Sequence, residues 1–230
     1  MVIKIFIWGM LIGPLAILAE FSIKWLIQPM GLKDFIYSLS LHNWNTFIGI
    51  ILIAPIVEEF LKYQIVKTKI LNNPDFDEPL DAMLYLIIGA LGFAAIENLL
   101  LVFQNPLRPF DDVLSLVVLR FLSATLVHAL ASGMLGYWLA RSLREPEKRT
   151  KMLAKGFGLA IFFHGSYNCL TWFLDPTKGS SAVLMTASMI FILITLMAIA
   201  VSYNFSVLKN LHSVCKICSI NKKLSQRDQV

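Results

Sequence analysis

Residues 80 to 104 read LDAMLYLIIGALGFAAIENLLLVFQ, an apolar run interrupted by Asp81 near its start and by Glu97 and Asn98 near its end. A helix that crosses a bilayer needs about 20 largely apolar residues, so this run is long enough to span one. Five further stretches have the same character, and together they predict six transmembrane helices. The predicted spans are residues 2–27, 44–66, 80–104, 113–140, 152–174 and 182–204.

The overall composition points the same way. Hydrophobic residues make up 57% of the 230 positions, charged residues make up only 15%, and the mean hydropathy is +0.69. These values exclude an ordinary soluble globular protein and a disordered chain, and three cysteines are too few for a disulfide-stapled secreted fold. We therefore expect an all-α polytopic transmembrane helix bundle, with residues 1–204 as one transmembrane domain and 205–230 as a cytoplasmic basic tail.

The distribution of Lys and Arg predicts the orientation in the membrane. Thirteen of them lie on the side of the two termini, whereas the opposite loops hold only Lys33, Arg108 and Lys178. Positive charge concentrates on the cytoplasmic side of membrane proteins, so both termini are expected in the cytoplasm of a multi-pass cell-membrane protein. The formal charge of +5 thus favours an anionic lipid leaflet as partner, and it predicts no nucleic-acid binding, because the basic residues lack interleaved aromatics.

Three polar features outside the middle of the spans have simple structural explanations. Glu20 and Lys24 lie four residues apart near one end of the first span and are expected to form an ion pair that reaches toward the membrane surface. The segment 28–43 fits either a short amphipathic helix on the outer surface or a connecting loop. Cys215 and Cys218 form a CxxC motif, but without a second motif of this kind they do not predict a zinc site.

Span two carries two adjacent carboxylates in the run APIVEEFLKY, residues 54 to 63. Successive helix positions lie about 100° apart, so Glu58 and Glu59 point in different directions. Lys62 is four residues after the first and three after the second, which allows it to neutralise one of them. The second carboxylate would remain, and ionisable residues inside a membrane usually serve a function.

The later spans add two histidines at matching depth. At a rise of 1.5 Å per residue, His128 and His164 each lie about 18 Å from the cytoplasmic end of their predicted spans, whereas Glu97 lies about 25 Å from that end. Asn168 follows His164 by four residues and shares its helix face. Glu58 lies at a comparable depth, about 16 Å, if its span is extended to Lys69. The two histidines therefore fit one cluster with Glu58, and the depth of Glu97 leaves its membership open.

Imidazoles beside carboxylates are the ligands of catalytic zinc sites, in which a carboxylate also accepts a proton from water. Neutral histidines and ionised carboxylates offset the charge of the metal, so the groups are easier to bury together. The residues alone thus favour metal-assisted hydrolysis inside the bilayer. A proton or cation pathway is the second hypothesis, because transporters also bury acids and histidines.

The polar motifs, in this order, resemble the PrsW family of intramembrane proteases. This family belongs to a superfamily that includes the type II CAAX prenyl endopeptidases and bacteriocin-immunity-type membrane proteins. The resemblance covers spans two to five, about half of the chain. The matching motifs are EE-x-x-K (Glu58, Glu59, Lys62), FDEP-x-D (Phe76 to Asp81) with Tyr85, GFA-x-x-EN (Gly92 to Asn98), Arg120 with His128, and HG-x-Y (His164 to Tyr167).

The resemblance implies roles for the two adjacent glutamates. The first Glu of the EE motif is taken as the base that activates water, which would make Glu58 the general base, and its neighbour Glu59 would orient it. Lys62 stands one residue before the Arg of the CAAX enzymes. The motif in residues 72–81 either is a solvated cytoplasmic loop, as its composition suggests, or closes the site from the cytoplasm, as the resemblance implies.

The resemblance also implies a ligand set. Glu97 takes the place of the His in the F-x-x-x-H motif of the CAAX enzymes, and His128 corresponds to the additional His of the PrsW branch. His164 and Asn168 match the H-x-x-x-N motif. We therefore predict Glu97, His128 and His164 as metal ligands or oxyanion stabilisers, with Asn168 assisting and with a divalent metal, zinc, as cofactor, in a cavity between spans two to five.

The function implied is hydrolysis of a peptide bond in a single-span, membrane-anchored regulatory protein, such as an anti-sigma factor. Two other classes remain as alternatives. One is a non-catalytic membrane protein that binds a partner, as in immunity-type relatives, and the other is a proton or cation carrier. Loss of proteolysis on changing Glu58 or His164 would separate the enzyme from both.

Overall fold

The structure, a computed structural model, describes residues 1–27, 47–69, 76, 78–103, 109–173 and 180–227, with backbone alone for 24–27, 180 and 211–227. The segment 28–43 and half of the segment 72–81 lie outside these residues, as do the three basic residues that the sequence places in the opposite loops. The hypotheses for those segments are therefore not addressed by the structure.

The described residues form helices and no strand, in agreement with the predicted all-α class. A π-helical turn, Gly49–Ile53, leads into the second helix, and a 3-10 turn, Pro146–Lys148, leads into the sixth. The helices are α1 (Val2–Ile27), α2 (Ala54–Lys69), α3 (Pro79–Phe103), α4 (Phe110–Leu122), α5 (Ala124–Arg144), α6 (Arg149–Phe173) and α7 (Ser180–Arg227).

Four helical segments among the described residues are long and apolar enough to cross a membrane. They are Val2–Ile23, Pro79–Phe103, Phe110–Arg144 and Ser181–Asn210. The other two predicted spans correspond to α2 and α6, whose apolar character is reduced by Glu58, Glu59 and Lys62 and by His164 and Asn168. The protein is thus a polytopic helix bundle in which the two more polar helices carry most of the residues singled out in the sequence.

The predicted fourth span, residues 113–140, is not one continuous helix. Ser123 has φ −125° and ψ −73°, outside the helical region, and it separates α4 from α5. Its hydroxyl donates to the carbonyl of Leu119 at 2.7 Å, and the same hydroxyl lies 2.9 Å from the Tyr167 hydroxyl of α6. No residue of α4 is buried, so the break leaves a short, loosely covered helix beside the bundle.

Helix α5 is the centre of the bundle and packs against α3, α6 and α7. Small residues make this position possible: a side chain at Gly136 would meet the backbone of Met83, and one at Gly156 of α6 would meet Trp138. Close approach of this kind is how transmembrane helices gain packing energy, because lipid offers no hydrophobic driving force. The buried centre therefore holds α5, and with it His128, in a fixed position.

Helices α1 and α3 make the closest contact in the fold. A side chain at Gly9 would collide with the Gly89 carbonyl, and one at Gly92 would collide with the Phe6 carbonyl. These glycines let the two backbones touch. The contact fixes the helix that carries Glu97 against the first span.

The end of the last span is not marked by a break in the structure. Helix α7 continues to Arg227, past residue 204, where the sequence analysis places the end of the transmembrane domain. The division into a transmembrane domain and a basic tail stays a prediction.

In the connection between α5 and α6, hydrogen bonds from Lys148 and Arg141 lower the pKa of the Glu145 carboxyl.

A single methyl group at the α1–α3 contact should measurably destabilise the protein. We expect Gly92→Ala to cost about 1–3 kcal/mol, because the added carbon meets a backbone carbonyl that cannot move aside alone. Gly158→Ala is the matched control, since nothing lies within 4 Å of a side chain at that position, and it should leave stability unchanged or slightly raised. Thermal unfolding in detergent compares them, and equal unfolding temperatures would contradict the close contact.

Candidate active site

Helix α2 supplies three charged side chains that are all buried: Glu58, Glu59 and Lys62. The spacing of one, three and four residues places the lysine one turn after both carboxylates. Its Nζ donates to Glu59 Oε1 at 2.7 Å and lies 3.6 Å from Glu58 Oε2. Lys62 therefore neutralises Glu59 directly and Glu58 only at longer range.

The Lys62 ammonium also reaches across the bundle to α5. Nζ lies 2.9 Å from Nδ1 of His128 and 4.4 Å from the centre of the Phe93 ring. An ammonium group can only donate, so Nδ1 of His128 accepts this hydrogen bond. The lysine is thus held by a carboxylate, an imidazole and an aromatic face.

His128 pairs with a carboxylate through its other nitrogen. Since Nδ1 accepts from Lys62, the ring hydrogen is on Nε2, which donates to Glu97 Oε2 at 2.7 Å. The lone pair of His128 is therefore on Nδ1, which lies 3.6 Å from Glu58 Oε2. A carboxylate behind the imidazole fixes its tautomer and orientation, as it does for histidines that bind metals.

His164 has the same arrangement with a different carboxylate. Its Nδ1 donates to Glu59 Oε1 at 3.2 Å, and Ser132 donates to Glu59 Oε2 at 2.8 Å. With the hydrogen on Nδ1, the lone pair is on Nε2, which lies 3.8 Å from Glu58 Oε2. Glu59 is therefore saturated by α2, α5 and α6 and orients His164.

Three groups that offer lone pairs converge on one point: the Glu58 carboxylate and the imidazoles of His128 and His164. One ligand atom from each lies within 4.8 Å of the other two, and the two rings stack edge to face with centroids 4.7 Å apart. Ligands of tetrahedral zinc lie about 3.3 Å apart when each is near 2.0–2.1 Å from the metal. Small side-chain movements would bring these atoms to that spacing.

The charged residues of the cluster do not balance one another. Glu58, Glu59 and Glu97 face two permanent cations, Lys62 and Arg120, which leaves one negative charge uncompensated if both histidines are neutral. Among the described residues, Glu58 Oε2 is also the buried side-chain atom without a hydrogen-bond partner. An orphaned carboxylate oxygen opposite two imidazole lone pairs fits a divalent cation, so the residues agree with a metal site.

Glu97 lies beside this point rather than on it. Its Oε1 accepts from Arg120 at 2.8 Å, and its Oε2 accepts from His128. Arg120 is held in turn by Asn98 Oδ1 at 2.7 Å, and Asn98 donates to Thr125. The sequence predicts Glu97 as a ligand, whereas the structure brings Glu58 to the two histidines and puts Glu97 behind one of them.

Asn168 contacts the backbone of the π-helical turn. Its Nδ2 donates to the Ile50 carbonyl at 2.9 Å, and the neighbouring Gly165 lets α6 approach the Ile51 carbonyl closely. Asn168 thus joins α6 to the entrance of α2. It lines the same cavity as Glu58, while its amide hydrogen bond goes to the turn.

Two cavities reach the cluster. The larger, about 660 Å³, is lined by residues of every helix except α5, so it extends beyond the predicted set of spans two to five. The smaller, about 190 Å³, lies between α1 and α3. Both are lined by Glu20, Glu58, Glu97 and Arg120. Glu20, predicted as part of an ion pair near the membrane surface, therefore lies on the wall of the site, and the side chain of Lys24 is not described.

Several residues of the network were not singled out as site residues from the sequence. Arg120 and Tyr167 are named only as parts of motifs, and Ser132 and Thr125 are not among the predicted site residues. Helical spacing would have pointed to them, since Ser132 is four residues after His128, Thr125 is three residues before it, and Tyr167 is three residues after His164. Residues at these intervals share a helix face.

Comparison with known proteins connects this geometry to a family. A family model described as PrsW family intramembrane metalloprotease matches residues 1–201. The chain belongs to the PrsW family. The match includes α1 and less than half of α7 as well as the motif-bearing helices. No solved structure is similar enough to be matched.

Curated relatives carry the same name. Protease PrsW of Geobacillus kaustophilus is 32% identical over 117 residues, 51% of this chain and 49% of that protein. Protease PrsW of Oceanobacillus iheyensis is 25% identical over 174 residues, 76% of this chain and 75% of that protein. Protease PrsW of Bacillus subtilis is 25% identical over 144 residues, 62% of this chain and 63% of that protein. The chain thus matches about half to three quarters of the length of these PrsW relatives.

The Arg120 contacts should contribute to the stability of the bundle. We expect Arg120→Ala to cost about 2 kcal/mol, because it removes charge-assisted hydrogen bonds to Glu97 and Asn98. The expected loss of stability is moderate, because the Glu97 side chain is 35% exposed and its charge is partly screened. Arg144→Ala, at an exposed position on α5, is the control and should change stability by less than about 0.5 kcal/mol. Thermal unfolding measures both, and an Arg120→Ala protein as stable as the control would refute this role.

Proposed function

We propose that this chain is an intramembrane endopeptidase, which hydrolyses a peptide bond of a membrane-anchored protein at the cluster around Glu58. The observation that carries the proposal is the convergence of Glu58, His128 and His164 at the wall of a cavity of about 660 Å³. Membership of the PrsW family supports the same reaction class.

In this proposal, the metal-holding set is Glu58 Oε2, His128 Nδ1 and His164 Nε2. A divalent cation held there, zinc by the nature of the nitrogen and oxygen donors, would supply Lewis-acid polarisation of the peptide carbonyl and make a water molecule more acidic. Glu97, also predicted as a ligand, would instead keep His128 in the tautomer with its lone pair on Nδ1. Glu59 would keep His164 in the other tautomer, with its lone pair on Nε2.

Glu58 is the carboxylate proposed to accept the proton from the attacking water. It lines both cavities, so water and substrate can reach it from different sides. Its Oε2 belongs to the ligand set, and its second oxygen is available as the proton acceptor. Glu59 is saturated by Lys62, Ser132 and His164, which is why the base is assigned to Glu58 and the orienting role to Glu59.

Asn168 has a positioning role in this proposal. By binding the Ile50 carbonyl, it holds α6, and therefore His164, against the start of α2, which carries Glu58. Asn168 and Tyr167 both line the larger cavity, so they lie beside the path of a substrate. The Tyr167 hydroxyl, paired with Ser123 at 2.9 Å, is placed to contact a bound peptide.

The larger cavity suits a segment that enters from the bilayer. Its outer walls are apolar and come from α4 and α7, including Leu116, Leu119, Ile190 and Phe191. Helix α4 has no buried residue and packs on α3 and α5. A helix hides its amides in internal hydrogen bonds, so a substrate must unwind locally beside the charged end of the cavity. A single-span membrane protein is the proposed substrate, and a regulator such as an anti-sigma factor is the example implied by the family resemblance.

The proposed location is the cell membrane with both termini in the cytoplasm. The imbalance of Lys and Arg between the two sides supports this orientation. A non-catalytic partner-binding protein and a proton or cation carrier remain as outcomes that the following experiments distinguish.

Substitution of the converging residues should abolish proteolysis. We expect Glu58→Gln to lower cleavage by at least about 100-fold, because the amide keeps the shape but cannot accept a proton. His164→Ala should have a similar effect by removing one ligand. The measurement is cleavage of candidate single-span proteins after reconstitution with the purified full chain.

The control for charge is Glu147→Gln, because Glu147 is exposed in the α5–α6 connection. The Glu147→Gln protein should cleave the substrate as the unchanged protein does. Proteolysis that survives both Glu58→Gln and His164→Ala would overturn the catalytic assignment. Partner capture without cleavage in every variant would indicate a binding protein, and pH-driven flux in liposomes without cleavage would indicate a carrier.

Removal of the metal should stop the reaction reversibly. We expect a membrane-permeable chelator to inhibit cleavage by the reconstituted protein and added zinc to restore it. Two neutral imidazoles and one carboxylate cannot polarise the peptide carbonyl and the water as a divalent cation does. A non-chelating isomer of the same compound is the control. Full cleavage in the presence of excess chelator would exclude a metal requirement.

A further inference from the structure

We propose that the Lys62 ammonium is an internal counter-cation that competes with a divalent metal for His128 and Glu58 and so lowers the metal affinity of the site. This inference rests on the metal-holding set given under the proposed function. It concerns the lysine, which belongs neither to the three ligands nor to the acid–base groups.

The competition follows from the single lone pair on His128 Nδ1. Lys62 Nζ donates to this atom at 2.9 Å, and the other nitrogen is committed to Glu97. A nitrogen lone pair cannot accept a hydrogen bond and bind a metal at the same time. Metal binding by His128 therefore requires that Lys62 withdraw from Nδ1.

The position of the ammonium strengthens this conflict. Nζ lies 3.6 Å from Glu58 Oε2, the same atom that faces both histidines, so the positive charge already occupies the neighbourhood that a metal would enter. The ammonium and a metal bound to the same carboxylate would repel each other strongly, because buried surroundings screen charges poorly. The Lys62 side chain is essentially unexposed, so water does not relieve the repulsion.

The charge balance gives the direction of the effect. Removing the lysine charge makes the cluster of Glu58, Glu59, Glu97 and Arg120 more negative by one unit. A more negative cluster attracts a divalent cation more strongly. Removing the charge of Lys62 should therefore increase metal affinity.

The structure also explains why the lysine can withdraw without leaving the site. Its shortest contact is to Glu59 at 2.7 Å, and this carboxylate is fixed by Ser132 and His164. Glu59 would retain the ammonium when His128 is given up. Lys62 thus stabilises the metal-free cluster and keeps Glu59 as its partner when the metal takes His128 and Glu58.

Zinc titration of the full chain in detergent tests the competition. All proteins carry Cys215→Ser and Cys218→Ser, so that the thiols of the tail do not bind the ion. Free zinc is set by a chromophoric chelator, and the dissociation constant is measured for the unchanged lysine, Lys62→Met and Lys62→Gln. We expect both substitutions to bind zinc at least tenfold more tightly, and zinc to raise their unfolding temperature more than that of the parent.

Two controls separate charge from other effects. Lys67→Met removes an exposed lysine from the same helix and should leave zinc affinity unchanged. Lys62→Gln should disturb folding less than Lys62→Met, because an amide can donate a hydrogen bond to Glu59. It therefore keeps the test valid if the methionine variant does not fold.

Equal or weaker zinc affinity in Lys62→Met and Lys62→Gln would overturn the inference, and so would the absence of zinc binding in all the proteins. Cleavage assays on the same preparations separate this from failure of the proposed function. If the parent protein cleaves its substrate while the affinities do not differ, only the role of Lys62 is refuted. If the parent does not cleave, the proposed function fails whatever the affinities are.

Discussion

Lys62 and Glu59 form an ion pair at 2.7 Å in which neither side chain is exposed. Removing two ions from water costs several kcal/mol each, and only further hydrogen bonds make such a pair tolerable. Here the lysine also donates to His128, and the glutamate also accepts from Ser132 and His164. These bonds join α2, α5 and α6 at a single level of the bundle. Any change in the register of one helix would leave a buried charge unpaired, so this contact fixes where the histidines can lie.

The apolar stretches were sufficient to predict the class of the fold and the approximate position of each helix. The break at Ser123 was not predictable in the same way, because hydropathy continues across it and the cause is tertiary. Arg120 turns toward Glu97 on α3, and the Ser123 hydroxyl meets Tyr167 on α6. The sequence around Ser123 does not indicate either of these contacts, because both partners lie on other helices. The π-helical turn, Gly49–Ile53, was missed for a similar reason, since its free carbonyl is satisfied by a distant asparagine.

Depth along the helices predicted that Glu58, His128 and His164 lie near one another, as they do in the structure. The predicted spans four and five end at residue 140 and begin at residue 152, which places the histidines about 18 Å and Glu97 about 25 Å from the cytoplasmic ends. In the structure α5 extends to Arg144 and α6 begins at Arg149. Counted from these ends, Glu97 and His128 differ by only about two residues, or about 3 Å. Which carboxylate faces the lone pairs depends on helix rotation, and periodicity alone does not determine that.

Glu58 and Glu59 are chemically identical neighbours with different surroundings. The rotation of about 100° between them directs Glu59 into the contact with Ser132 and His164, whereas Glu58 lines both cavities. The Nζ of Lys62, one turn later, lies 2.7 Å from Glu59 Oε1 and 3.6 Å from Glu58 Oε2. One carboxylate is therefore fully satisfied and the other keeps an oxygen without a partner. The EE-x-x-K spacing thus provides, on a single helix, both an anchored carboxylate and one with an unpaired oxygen, while the two imidazoles come from other helices.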